Sequence, residues 1–273
     1  MKKLQALTIC VGYSDFLCWT ITENKHLFDK WVIVTDTKDE KTKQLCDNHN
    51  VMCVQTDIFY KDSAKFNKYA GINEGLKYLD RDAWILFLDG DIVLHGLTKY
   101  ILEHLPLDES CIYGIDRVNC IGLENWLDYV AKRDAVFQNW LLHTSDMPLG
   151  ARLVHYFGEA RDEGIFLGWR PLGFFQLCYG TAFKDYPQKT VGADHCDLEF
   201  VRNWPRSKRV FIPEIIGIHL ESEGAYKGMN WYGRQSLPFE LNQNLSFSYK
   251  LKSLFWRIYM KFKVGRLKNL IEL

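Results

Sequence analysis

"WILFLDGDIVL", residues Trp84 to Leu94, joins an apolar run to two aspartates separated by a single glycine. A short continuous apolar run of this kind reads as a strand covered on both faces. Asp89-Gly90-Asp91 then stands where the strand must end. Asp and Gly are common turn residues, because Gly tolerates unusual backbone angles and Asp can hydrogen-bond to its own backbone. The stretch is therefore either a plain turn or a pair of carboxylates aimed at one point, and the elements around it bear on which.

Upstream, "LTICV" (7–11), "WVIVTD" (31–36) and "VMCVQTD" (51–57) are three further apolar, β-prone runs. They alternate with segments that read as helices: one from the Gly12 turn through Phe28, a polar one over 37–49 with Lys and Glu at helical spacing, and "FNKYAGINEGLKYL" over 66–79. In the last of these, Ile72, Leu76 and Leu79 fall on one face. Strand and helix in alternation predict an α/β fold whose central sheet is mostly parallel and flanked by helices. Asp89 and Asp91 then lie at the carboxyl end of the fourth strand, where open α/β sheets hold ligands.

Downstream the regularity weakens. A short helix over 97–105 closes at Pro106, "CIYGIDRV" (111–118) reads as a strand, and residues 119–170 read as an irregular acceptor-side insertion. "LGFFQLCYG" (172–180) is a core strand, "DLEFVRNW" (197–204) a helix, and "RVFIPEIIGIHL" (209–220) a final extended segment reaching His219. Residues 1–248 form one domain in this reading. Residues 249–273 add a basic amphipathic helix, with Leu251, Leu254, Phe255, Ile258 and Phe262 on one face.

Composition bounds the function. Of 273 residues 47% are hydrophobic, enough for a substantial core, and 34 Lys and Arg balance 34 Asp and Glu. Net charge therefore gives no steering toward a polyanion, and nucleic-acid or membrane contact would need a local patch. The start, "MKKLQALTICVGYSDF", reaches polar residues too soon for a secretory signal, and no run approaches the roughly eighteen apolar residues of a membrane helix. A cytoplasmic location is expected, the host's cytoplasm if the chain is viral. Eight cysteines form no CxxC pair, so free thiols are expected.

Two carboxylates turned toward one point repel each other, and a hard divalent ion removes the repulsion while leaving positions for phosphate oxygens. Asp89 and Asp91 are thus candidate metal and donor ligands. His219, where the last strand gives way to a polar loop, is either a structural residue or a third ligand. An imidazole would favour Mn²⁺ over Mg²⁺. Lys68 is either solvated or answers a diphosphate, and Asn67 is either a donor contact or a helix cap. Asp194 and Asp197, three apart at a helix start, compete as cap and as general base, with Asp197 preferred.

Phe66-Asn67-Lys68 with Asn73-x-Gly75, Asp89-Gly90-Asp91, the acidic segment Gly192 to Asp197, and His219, in that order, resemble the metal-dependent nucleotide-sugar glycosyltransferases of the GT-A fold. The likeness is to the β-1,4-galactosyltransferase-like and family-2-like groups and spans about residues 5–220. It implies a Rossmann-like domain in which Asp89 and Asp91 meet metal and donor, Lys68 lines the donor site, Asp197 is the base and His219 the last metal ligand. Where the galactosyltransferase-like group has Gly-Glu-Asp, this chain has Gly192-Ala193-Asp194-His195-Cys196-Asp197. The implied reaction moves a hexose, from a UDP-sugar by expectation, to an acceptor hydroxyl with inversion.

From position alone, Val11, Gly12, Tyr13 and Asp36 would lie under the nucleotide, with Asn73 a further donor contact. The acceptor is a glycan or similar hydroxyl. The runner-up is hydroxymethylated or glucosylated DNA, as in phage enzymes, since residues 202–209 and the C-terminal helix are both basic. That helix could also rest on an anionic membrane, or only pack on the core. The alternative of another class is a non-catalytic protein that binds nucleotide sugars or nucleic acid.

Overall fold

The computed structural model describes residues 3–140, 151–153, 170–187, 193, 195–222, 230 and 232–240. The first half is the expected alternation: β1 (Leu4–Ile9), α1 (Ser14–Asn24), β2 (Lys30–Asp36), α2 (Glu40–His49), β3 (Met52–Thr56), α3 (Lys68–Leu76) and β4 (Trp84–Leu88). Next come β5 (Ile92–Val93), α4 (Thr98–His104), β6 (Ile112–Ile121), α5 (Leu123–Trp140), β7 (Ala151–Leu153), β8 (Phe175–Tyr179), α6 (Cys196–Val201) and β9 (Arg209–Glu221). The strands form one sheet in the order β3-β2-β1-β4-β8-β6-β9-β5, with β7 paired to β6.

The α/β class and the Rossmann-like, GT-A-type central sheet hold. The sheet is mixed, its parallel ladders interrupted by antiparallel strands. β3, β2, β1 and β4 run parallel, β8 enters antiparallel between β4 and β6, β6 and β9 are parallel, and β5 runs antiparallel to β9. A second difference concerns 119–170, expected to be irregular from its start. There β6 continues to Ile121 and α5 follows at once. Trp126 and Tyr129 of α5 are buried against Val93, Ile218 and Leu220, so burial of aromatic residues gives this stretch its order.

Side-chain alternation along β4 shows why the run is apolar throughout. Trp84, Leu86 and Leu88 enter the core on one face, with Leu17 and Ile21 of α1. Ile85 and Phe87 enter the other, with Ile72 and Leu76 of α3. Gly75 lets α3 lie close to the sheet, since a Cβ there would stand 2.3 Å from Cδ1 of Leu7. Caps fix the helix starts: the Asp39 side chain accepts from the Thr42 N–H at α2, and Asn67 accepts from the Ala70 N–H at α3. All eight cysteines are free thiols. Among the described residues no helix is long and apolar enough to cross a membrane. The expected helix over 249–273 lies outside them.

Candidate active site

A cleft of about 320 Å³ opens over the carboxyl ends of β1 and β4. Val11, Tyr13, Lys68, Asp89, Asp91, Asp197 and His219, all expected site residues, line it. Sheet register brings the distant ones together. Ile92 pairs with His219 across β5 and β9, and the Leu220 N–H donates to the Asp91 carbonyl at 2.8 Å. The DGD turn is thereby fixed against the end of β9, where His219 lies 128 residues from Asp91.

The two aspartates have different partners. Nζ of Lys68 donates to Oδ1 of Asp89 at 2.7 Å. Burial raises the Asp89 pKa, and the ammonium offsets that only in part, with the Asp91 charge adding to the rise. Asp91 Oδ2 lies 3.3 Å from Nε2 of His219. Burial pushes the Asp91 carboxyl up as well, but the imidazole, helped by Arg117 and a backbone hydrogen bond, outweighs it and holds the pKa below the usual range. For His219, burial and Arg117 disfavour the charged ring. The Asp91 and Glu221 carboxylates outweigh them, and its pKa is raised to about 9. Oδ1 of Asp91 is buried and has no hydrogen-bond partner among the described residues.

Asp197 sits in the first turn of α6, where Oδ2 accepts the Gly173 N–H at 2.8 Å. A Cβ on Gly173 would come within 2.9 Å of the Asp197 Cβ, so glycine permits this approach. Asp194, its rival as base, lies outside the described residues.

Four other expected donor contacts are not brought to the cleft wall. Gly12 takes a left-handed turn at φ +68° and donates its N–H to Oδ2 of Asp39 at 2.7 Å. Asp36 accepts the Lys38 N–H, and Asn67 is the α3 cap. Asn73 clamps Tyr186, donating to its carbonyl at 3.0 Å and accepting its N–H at 2.9 Å.

Further residues in and behind the cleft were not among the expected site residues. Arg117 lines it and stacks over Phe174, 4.7 Å from the ring centroid. Asn119 and Glu221 stand behind His219. Arg234 lines the wall beside Tyr13: it forks onto both oxygens of Asp15, donates to the Leu237 carbonyl, and lies 4.8 Å from the Tyr13 ring centroid. Strand alternation was the available signal for the first three, since Arg117 and Asn119, like His219 and Glu221, are two apart. Nothing local marks Arg234, whose carboxylate partner Asp15 is 219 residues away.

Among the described residues no group of three or more His, Cys, Asp or Glu side chains is gathered so as to hold a metal by itself. In the basic segment 202–209, Lys208 pairs with Asp108 at 2.8 Å and Nε of Arg209 donates to the Trp204 carbonyl.

No protein-family model matches the chain, and neither does any curated protein. Solved structures of similar shape include glucosyl-3-phosphoglycerate synthase from Mycobacterium tuberculosis in complex with Mn²⁺, UDP-glucose and phosphoglyceric acid. The identity is 10% and the TM-score 0.48, over 80% of this chain and 71% of that one. Mannosyl-3-phosphoglycerate synthase from Rubrobacter xylanophilus is 15% identical with a TM-score of 0.34, over 42% of this chain. A mycobacterial protein is 10% identical with a TM-score of 0.47, over 81% of this chain. The chain spans 41% and 66% of the length of these last two. Likeness this distant carries no argument about chemistry, which rests on the cleft itself.

Proposed function

We propose that the chain transfers a sugar from a nucleotide diphosphate sugar to an acceptor hydroxyl, with Asp91 and His219 holding a divalent cation. The observation that carries this reading is Oδ1 of Asp91, a buried carboxylate oxygen with no hydrogen-bond partner among the described residues, in a cleft it shares with His219. A buried acceptor left unsatisfied is costly, and a cation satisfies it. The residues fit such an ion as two ligands, with the remaining positions open to diphosphate and water. Asp89 is the weaker candidate, because Lys68 already occupies its Oδ1. Imidazole favours Mn²⁺ over Mg²⁺.

A bound divalent cation supplies charge neutralisation for a departing diphosphate. The chain's own side chains do the rest. Val11 and Tyr13 form the wall under the nucleoside, UDP by expectation. Lys68 and Arg117 bring positive charge to the diphosphate. Asp197 takes the proton from the acceptor hydroxyl as it attacks, and a single displacement of this kind inverts the anomeric centre. The acceptor is a glycan or similar hydroxyl. DNA remains the runner-up without an observation in its favour, because one basic cluster lies outside the described residues and, in the other, Lys208 and Arg209 have intramolecular partners.

Incubation of the full chain with Mn²⁺ and a panel of nucleotide sugars, followed by assay of free nucleotide, tests the reading. Release of nucleotide from one or a few donors is expected. Neither hydrolysis nor binding of any donor would leave a protein of another class.

A further inference from the structure

The ring orientation of His219 is set from behind by two residues outside the cation site. Nδ1 of His219 lies 3.0 Å from Oε1 of Glu221 and 3.2 Å from Oδ1 of Asn119. The Asn119 amide cannot be turned over without cost, because its Nδ2 donates to Oε1 of Glu221 at 2.5 Å. Flipping would set an amide oxygen against a carboxylate and an NH₂ against the imidazole. Nδ1 therefore faces two acceptors and must carry hydrogen. This placement follows from the sheet. Asn119 and His219 are register partners in β6 and β9, and Glu221, two residues on, returns to the face of His219.

With hydrogen on Nδ1, the lone pair of a neutral ring belongs to Nε2, which points at Oδ2 of Asp91. Two acceptors 3.3 Å apart require a positive species beside them, either a second proton or a metal ion. Were Nδ1 released, the ring could take the other tautomer, donate Nε2–H to Asp91 and close the site. We infer that Glu221, braced by Asn119, is a positioning residue that keeps His219 in the tautomer able to ligate a cation with Asp91. The inference rests on the cation site proposed above and adds what makes that site competent. Carboxylates behind a ligating histidine act in this way in metal sites generally.

The test measures binding of Mn²⁺ alone to the full chain, by the electron paramagnetic resonance signal of the free ion. His219→Ala should abolish binding, and Glu221→Ala should weaken it about 10- to 100-fold. Glu221→Gln, whose amide oxygen still accepts from Nδ1, should recover most of the loss. Equal affinity in wild type and Glu221→Ala, with His219→Ala defective, would overturn the positioning role and leave the cation site standing. No binding by wild type would remove the cation site, and the inference with it. Long-range ¹⁵N spectra of the wild-type protein give the same answer without a variant. At alkaline pH, where the ring has lost its second proton, His219 is expected to keep hydrogen on Nδ1, and a neutral ring with hydrogen on Nε2 would overturn the inference.

Discussion

Nζ of Lys68, at the first position of α3, lies 2.7 Å from Oδ1 of Asp89, at the end of β4. The pair ties a helix to the turn that carries both cleft aspartates, and it separates their roles. Lys68→Met should cost about 1–3 kcal/mol, since it strands a largely buried carboxylate that is nevertheless partly reached by solvent. Donor affinity should fall with it, while binding of Mn²⁺ alone should not weaken. Urea denaturation and calorimetry check both. A variant that loses Mn²⁺ binding while keeping its stability would show that the Lys68–Asp89 pair, and not Asp91 with His219 alone, shapes the cation site.

Asp197→Asn keeps an oxygen able to accept the Gly173 N–H, so the fold and donor binding should persist while turnover collapses. Gly173→Ala should also lower turnover with little change in donor affinity, because its Cβ would push Asp197 out of place. Single-turnover assays beside donor titrations separate the steps. Full turnover in Asp197→Asn would hand the role of base to another group, and the same substitution at Asp194 would name the first alternative.

Two histidines should bend the stability of the metal-free protein in opposite directions. His219 is raised to about 9 in the fold against 6.5 unfolded, so its contribution is full below pH 6.5 and is lost as pH climbs through 9. His95 is lowered to about 4 by burial, and its Nδ1 accepts the Leu97 N–H. Its contribution is full above pH 6.5 and is lost as pH falls through 4. Melting temperatures with chelator present should peak near pH 6.5. His95→Gln should flatten the acid limb alone, and His219→Gln the alkaline limb alone. An unchanged alkaline limb in His219→Gln would contradict the pairing with Asp91.

Gly75→Ala tests the packing of α3. In an exposed helix this change adds about 1 kcal/mol of stability. Here the new methyl would lie 2.3 Å from Leu7 Cδ1 and 2.7 Å from Val34 Cγ2, so a net loss of about 1–3 kcal/mol is expected. A stabilised variant would show that α3 can ride away from the sheet.

What could be read from the sequence follows from the range of each signal. The apolar run at Trp84–Leu88 and the carboxylates after it are local, and strand alternation with helices carries them to the carboxyl end of a central strand. The Asn67 cap and the Asp197 helix start are equally local. Asn73, by contrast, looks like a donor contact in sequence, but it holds Tyr186 across 113 residues, a partnership no spacing announces. The antiparallel entry of β8 depends on where the chain returns after a long excursion, which neither periodicity nor composition encodes. Glu221 and Asn119 become meaningful only once β6 and β9 pair in register.

Calorimetric titration of a UDP-sugar into the full chain, with and without Mn²⁺ and for wild type and Asp91→Asn, tests the central claim most directly. The account predicts donor binding that requires the ion in wild type and disappears in Asp91→Asn. Equal donor affinity in the two proteins, or wild-type binding indifferent to the ion, would contradict it.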